Sequence, residues 1–331
     1  MLGPTYTVLD EALERLAPFD VNLVNGNANH APMVIEALCA LGRPDAALPW
    51  IERYRPRLLP RALARRRIEV DEWQAALGRR DAFSDWSGLF SEELEASPWR
   101  EVLDRWGSRL APGLSGAATH GIIRTGHAVR ALAQRENPIR LRELADALAS
   151  WAATYNQLPG APAVAARRMS PREAVLSLPI IPAERRRPGN ITAALDGLSD
   201  LPEFASAIGL IDIEGDLDAL VAEFGELSAR IYLANVTTTL TLIAFIHGVT
   251  SLHAIGNILP KVSDATGRRL IRYGWQAECG LYACFGNGTV IADAVQDGAE
   301  DTERLIDQAV MNGDEHAIKF TEACLRFNER R

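Results

Sequence analysis

Residues 238–259 read TTLTLIAFIHGVTSLHAIGNIL, within the most apolar long stretch of the chain. As one helix the run would be about 33 Å long, enough to cross a bilayer. Yet threonines, His247 and His253 punctuate it, and a membrane span would have to hold all of those polar groups in hydrocarbon. A helix buried in protein and lining a polar cavity fits the text better. Helical periodicity also dominates the rest of the chain, where alternating strand patterns are scarce.

Working outward, helices are predicted over residues 217–226 before this run and over 268–284, 302–311 and 315–328 after it. At the N-terminal end Leu9, Leu13 and Leu16 recur on one face. A turn-like region over 22–29 then leads to Asn29-His30-Ala31-Pro32. Proline is tolerated in a first helical turn, so His30 is expected at the N-terminus of a helix that continues over 33–41 and stops at Gly42. Further helices are predicted over 45–54, 70–78, 97–110 and 115–134. Pro138 opens a segment to Tyr155 in which Leu141, Leu144, Leu148 and Trp151 form an apolar stripe. Residues 159–200, richer in Pro, Gly, Arg and Ser, read as a loop-rich excursion. The expectation is an all-α, multi-helix globular bundle, one domain over 1–331, with a candidate metal site in its interior.

The 331 residues are 47% hydrophobic and 24% charged, the profile of a soluble protein with a sizeable core. The formal net charge of -8 argues against a general phosphate-binding surface, so no nucleic-acid partner is expected. Arg65-Arg66-Arg67 is followed by Glu69, Asp71 and Glu72 and reads as a solvated helix face; Arg185-Arg186-Arg187 precedes Pro188-Gly189 and reads as a loop. Cys39, Cys279, Cys284 and Cys324 lack paired spacing and look like reduced thiols. With no basic-then-apolar N-terminal leader, a cytoplasmic location and no membrane partner are expected.

Only two lysines occur among 35 basic residues. One of them, Lys319, lies three residues after His316, so on a helix both side chains share a face and can reach one metal ion. A buried lysine can be driven to lose its proton and so become a nucleophile, which guanidinium cannot. Lys261 follows Pro260, has no histidine at helical spacing, and reads as surface charge. The histidines number six: His30, His120, His127, His247, His253 and His316. His120 and His127 lie about 10.5 Å apart along a helix, and His247 and His253 are turned about 240° from one another, so at most one of each pair should serve one centre. Four helices thus offer His30, one of His120 and His127, one of His247 and His253, and His316 with Lys319. Imidazoles favour a transition metal over magnesium or calcium. A lone histidine in a helical protein is more often a hydrogen-bonded core or surface residue, and neither HExxH nor a paired-cysteine zinc signature is present.

The texts around these histidines carry more than their spacing. Asn29-His30-Ala31-Pro32 with Glu36-Ala37-Leu38 and Leu41-Gly42, then Thr119-His120-Gly121-Ile122-Ile123-Arg124-Thr125-Gly126-His127, then Leu144-Ala145 through Trp151-Ala152 to Tyr155, then Phe245-Ile246-His247-Gly248-Val249-Thr250-Ser251, then Asp314-Glu315-His316 to Lys319 follow in that order. Together these blocks resemble the questin oxidase-like family. The resemblance implies an oxidative enzyme that acts with O2 on a polycyclic aromatic or quinone-type small molecule and opens a quinone ring. It further implies a mononuclear non-haem iron, Fe(II), held by His30, His120, His247, His316 and a CO2-derived carbamate on Lys319.

If those are ligands, His127 and His253 are candidates for acid–base groups on the pocket wall and Arg124 for the partner of an oxyanion. The bland alternative for Arg124 is a pair with a carboxylate. Trp151 and Tyr155 could stack on an aromatic substrate, although such a pair is more often core. Asp314 and Glu315 read as helix-start residues favoured by the dipole. Two rival readings stand beside the iron enzyme. An NADPH-dependent Baeyer-Villiger-type oxidase needs a glycine-rich strand-to-helix turn, and Gly286-Asn287-Gly288 lacks both the strand and the third glycine. A non-catalytic helical protein would sequester an aromatic ligand or a metal.

Overall fold

The apolar run folds as a helix over Thr239–Ile258, and its threonines begin it: Thr238 and Thr241 each accept the other's backbone N–H in a capping box. Its hydrophobicity has a plain cause. By length and composition Thr239–Lys261 could cross a membrane, yet 83% of its most apolar window is buried inside the protein.

The computed structural model of the chain describes residues 6–160, 168–187, 189–290 and 301–329. Among these the helices are α1 (Thr7–Leu16), α2 (Ala31–Ala40), α3 (Ala47–Tyr54), α4 (Phe83–Ala96), α5 (Trp99–Leu110), α6 (His120–Gln134), α7 (Pro138–Ala153), α8 (Pro171–Leu176), α9 (Ile191–Asp196), α10 (Leu217–Asn235), α11 (Thr239–Ile258), α12 (Asp264–Phe285), α13 (Thr302–Asn312) and α14 (Glu315–Glu329). The fold is all-α apart from β1 (Phe19–Leu23) and β2 (Leu58–Pro60), which pair antiparallel with Leu23 opposite Leu58. These strands are too short for alternation to announce them.

Several helices depart from the expectation. Residues 70–78 form only a short 3-10 turn, Trp73–Ala76, because the segment is largely exposed and Gly78 ends it at φ +72°. Helix α4 was not foreseen, although Phe83, Trp86, Ser87 and Phe90 bury one face at helical spacing. The helix predicted from 115 begins at His120 instead, because Ala117, Ala118 and Thr119 take φ of 46°, 55° and 68°. Three successive non-glycine residues in the left-handed region cost roughly 1–2 kcal/mol each.

The core is two contiguous apolar clusters. The smaller is built on α1, α2 and α3 with Ile306 and Ile318; the larger joins α4 to α7 with α8 to α12. Helix α6 packs on α2, α7 and α11, and α14 packs on α2 and α11. These four helices, α2, α6, α11 and α14, therefore meet where the clusters adjoin. Two glycines let α6 sit so tightly. A Cβ on Gly121 would lie 2.5 Å from Trp151 Cα on α7, and one on Gly126 would lie 2.6 Å from Ala254 Cα on α11.

Candidate metal centre

Four imidazoles converge at one end of this seam. His30 is the residue before α2, His120 opens α6, His316 lies in the first turn of α14, and His247 sits mid-way along α11. The ring centroids of His30 lie 4.6 Å from His120 and 4.8 Å from His316, and those of His247 lie 4.6 Å from His120 and 5.5 Å from His316. His120 Nε2 is 2.7 Å from His30 Nε2 and 3.2 Å from His247 Nε2. Lys319, one turn along α14 from His316, is 1% exposed and makes no ion pair among the described residues.

Hydrogen bonds set which nitrogens face inward. His120 Nδ1–H donates to the Ala117 carbonyl at the left-handed turn, and His247 Nδ1–H donates to Ile243 O at 2.7 Å. His316 Nδ1 lies 3.3 Å from Asp314 Oδ1. With those protons on Nδ1, the Nε2 atoms of His120 and His247 present lone pairs to one another. A proton on His30 Nε2 can bridge its contact with His120; none serves the contact between His120 and His247. Two imidazoles bound at right angles to one ion, each at about 2.0–2.1 Å, hold their nitrogens about 3 Å apart. The donor set thus fits a transition-metal ion: the outer nitrogens of His120, His247 and His316 face a carbonyl or carboxylate, as such ligands require, while His30 Nδ1 is buried without a partner among the described residues.

The electrostatics favour neutral ligands. Burial, then the charge of Lys319, holds His30 well below the usual imidazole range and brings His120 down to about 3. Burial, then His120 and His316, lowers His247 as well. Burial brings Lys319 down to about 8, against the opposing pull of Glu315 and Asp314. The N-termini of α2, α6 and α14 also point at the site, and their partial positive charge disfavours cationic side chains there while favouring an anionic donor.

A cavity of about 210 Å³ opens over the imidazoles. His30, His120, His247 and His316 line it together with Arg57, Arg80, Glu315, Asn190, Thr192, Ile191, Leu240 and Ile243. Several of these were not anticipated. Asp314 is the helix-start residue, accepting the backbone N–H of His316 at 2.8 Å. Glu315, assigned the same duty from sequence, instead faces the cavity: a carboxylate oxygen lies within 4.8 Å of donor atoms on both His30 and His316. Arg57 grips both its oxygens, at 2.8 and 3.1 Å. Glu315 is thus a further donor within reach of an ion. Residues 190–192 come from the loop-rich excursion, where no periodic pattern exists to flag them.

The residues expected on the pocket wall lie elsewhere. Arg124 makes two hydrogen bonds to Glu143, at 2.7 and 2.8 Å, inside the protein. His127 Nδ1 is 2.6 Å from Glu36 Oε2, and His253 Nε2 is 3.1 Å from Glu322 Oε2. None of the three is among the described residues that line the cavity. The reason is geometric: seven and six residues along α6 and α11 carry His127 and His253 about 9–10 Å from the converging rings. Trp151 is buried in the larger core cluster, and Tyr155 packs against it. Gly286 follows α12 rather than a strand, so no dinucleotide-type turn forms there.

The Questin oxidase-like family model matches residues 28–324 of the 331, and the chain belongs to that family. No curated protein matches the chain.

Proposed function

We propose that the protein is an iron-dependent oxidase or oxygenase that acts with O2 on a polycyclic aromatic or quinone-type substrate, with oxidative ring cleavage as its reaction. The observation that carries this reading is the convergence of four inward-facing imidazoles at a cavity, with Lys319 buried one turn along α14 from His316. Family membership supports the oxidative class and the anthraquinone-type substrate. When bound, Fe(II) would supply the one-electron chemistry with O2 that a closed-shell aromatic lacks.

The chain's own residues do the rest. His120 and His247, each tethered through Nδ1, keep their rings from rotating away from the shared centre. Lys319, brought down to about 8, presents enough neutral amine near neutral pH to attack CO2. Its nitrogen forms a bond to carbon and loses a proton, giving an N-carboxylate whose negative charge offsets part of the ion's. Ile191, Leu240 and Ile243 offer a flat ring an apolar wall, and Asn190, Thr192 and Arg80 offer polar groups to its oxygens. The Arg57–Glu315 pair keeps a carboxylate at the cavity without adding net charge.

Metal analysis of purified wild-type protein and of Lys319→Ala, followed by oxygen-uptake assays with hydroxyanthraquinones, tests the proposal. Iron in the wild type, its loss in the variant and substrate-dependent oxygen uptake are expected. Equal metal content in both proteins, or none in either, would overturn the metal assignment. Metal without oxygen uptake would leave a binding protein.

A further inference from the structure

A second set of ligand-type residues lies beyond the histidines on the same four helices. Glu36 follows His30 by six residues, His127 follows His120 by seven, His253 follows His247 by six and Glu322 follows His316 by six. Each set meets separately, so the four helices run in the same sense along the seam and stack two polar layers about 9–10 Å apart. All four residues are at most 4% exposed.

Two carboxylates and two imidazoles, one from each of four packed helices, are a donor set that suits iron, manganese or zinc. The place an ion would take is filled by Arg130. Its Nε and Nη2 donate to Glu36 at 2.8 and 2.5 Å, and Nη1 donates to Glu322 and, at 3.1 Å, to His253 Nε2. Nη2 also lies 3.4 Å from His127 Nδ1. Arg130 touches every member of the set. The remaining partners are lesser ones: Tyr6 donates to Glu36 at 2.7 Å, Asn257 donates to His253 Nε2 at 3.1 Å, and Arg326 approaches Glu322 at 3.5 Å.

Among the described residues the set is not fully satisfied: buried Glu322 Oε2 lacks a donor, although it lies 3.1 Å from His253 Nε2, and buried His253 Nδ1, which carries the ring proton while Nε2 accepts, lacks an acceptor. The two carboxylates and Arg130 sum to about -1, a charge offset among the described residues only from the rim by half-buried Arg326 at 3.5 Å from Glu322, whereas a divalent ion in place of the Arg130 guanidinium would balance both carboxylates directly.

We propose that this layer is a second cation site whose resident cation is the Arg130 guanidinium, and that Arg130 thereby keeps a second divalent transition metal out of the protein. The cation site stands on these contacts alone and does not depend on the iron reading of the first layer.

Full-length wild type, Arg130→Ala and Arg130→Ala/Glu322→Gln are dialysed against Co(II), and bound metal is counted with the visible absorption of the ion. Arg130→Ala is expected to bind one equivalent more than wild type, whatever the wild type binds. The double variant is expected to lose that equivalent or bind it on the order of tenfold more weakly. A folded Arg130→Ala with the wild-type stoichiometry would overturn the proposal. If the variant does not fold unaided, it is refolded with methylguanidinium or with methylurea, its neutral analogue. Helical circular dichroism recovered by methylguanidinium alone supports a cation site; recovery with neither, or equally with both, overturns it.

Discussion

A lysine at 1% exposure without an ion pair among the described residues is a poor choice for stability. Burial brings its folded-state pKa down to about 8 from the unfolded 10.5. Between those values the unfolded chain binds more protons, so stability rises with pH across the window and the cost is present in full below about pH 8. At neutral pH that cost is about 3 kcal/mol, at 1.36 kcal/mol per pK unit. Lys319→Met is therefore expected to stabilise the metal-free protein by about 2–3 kcal/mol in urea denaturation while abolishing metal binding. Lys319→Arg, which keeps a charge that cannot be shed, is expected to lose metal and activity with no such gain. A Met variant no more stable than wild type would refute the electrostatic reading.

The histidines carry the opposite end of the pH range. His120 is down to about 3 against an ordinary 6.5, and His30 and His247 are lowered too. The unfolded chain binds their protons first, so their contribution is complete above about pH 6.5 and is lost as pH falls toward 3. Glu36, held down to about 2 by Arg130 and His127 against its own burial, adds a loss that begins only near pH 4.5. The metal-free protein is expected to lose stability between pH 6.5 and 5, before that carboxylate titrates. His120→Asn is expected to flatten this part of the curve, as read by urea midpoints at pH 7, 6 and 5.

Helix α6 shows how packing sets the site. Gly126 faces Ala254 Cα so closely that a methyl group has nowhere to go. Gly126→Ala is expected to cost about 1–3 kcal/mol by overpacking and to weaken metal binding by moving His120 relative to α11. Gly88→Ala is the control: nothing lies within 4 Å of its added methyl group. It is expected to stabilise α4 by up to about 1 kcal/mol without touching the metal. Equal effects of the two on metal affinity would sink the argument.

Individual elements were unequally legible. The bounds of α2, α5, α7, α11 and α13 follow from caps, prolines and apolar stripes within a few residues. Helix α4 carried its signal in Phe83, Trp86 and Phe90, yet Ser87 and Gly88 interrupt the stripe. The start of α6 was hidden, because nothing in Ala117-Ala118-Thr119 announces three left-handed residues.

Across the whole molecule, an ion that binds only the folded form stabilises it by RT ln(1 + [L]/Kd), about 2.7 kcal/mol at one hundred times Kd. Adding Co(II) to metal-free protein is expected to raise Tm by about 5 °C at that excess, taking roughly 2 °C per kcal/mol for a large domain. The shift should vanish in a His30→Ala/His247→Ala variant in scanning fluorimetry. A persistent shift would place the ion elsewhere.

By itself the sequence determined the all-α class, most helices, the family, and the four blocks from which ligands had to come. All of that rests on local periodicity and on text read in order. Choosing His120 over His127 and His247 over His253 already needed the resemblance. Only the tertiary structure decided what the other two do, because the stagger between helices is set by contacts such as Gly126 on Ala254 and Gly121 on Trp151. Tertiary packing likewise brought Glu315 and residues 190–192 to the cavity and put Arg130 among four ligand-type side chains. Spacing along one helix states which side chains share a face; how far that face lies from the next helix depends on packing between residues distant in the chain.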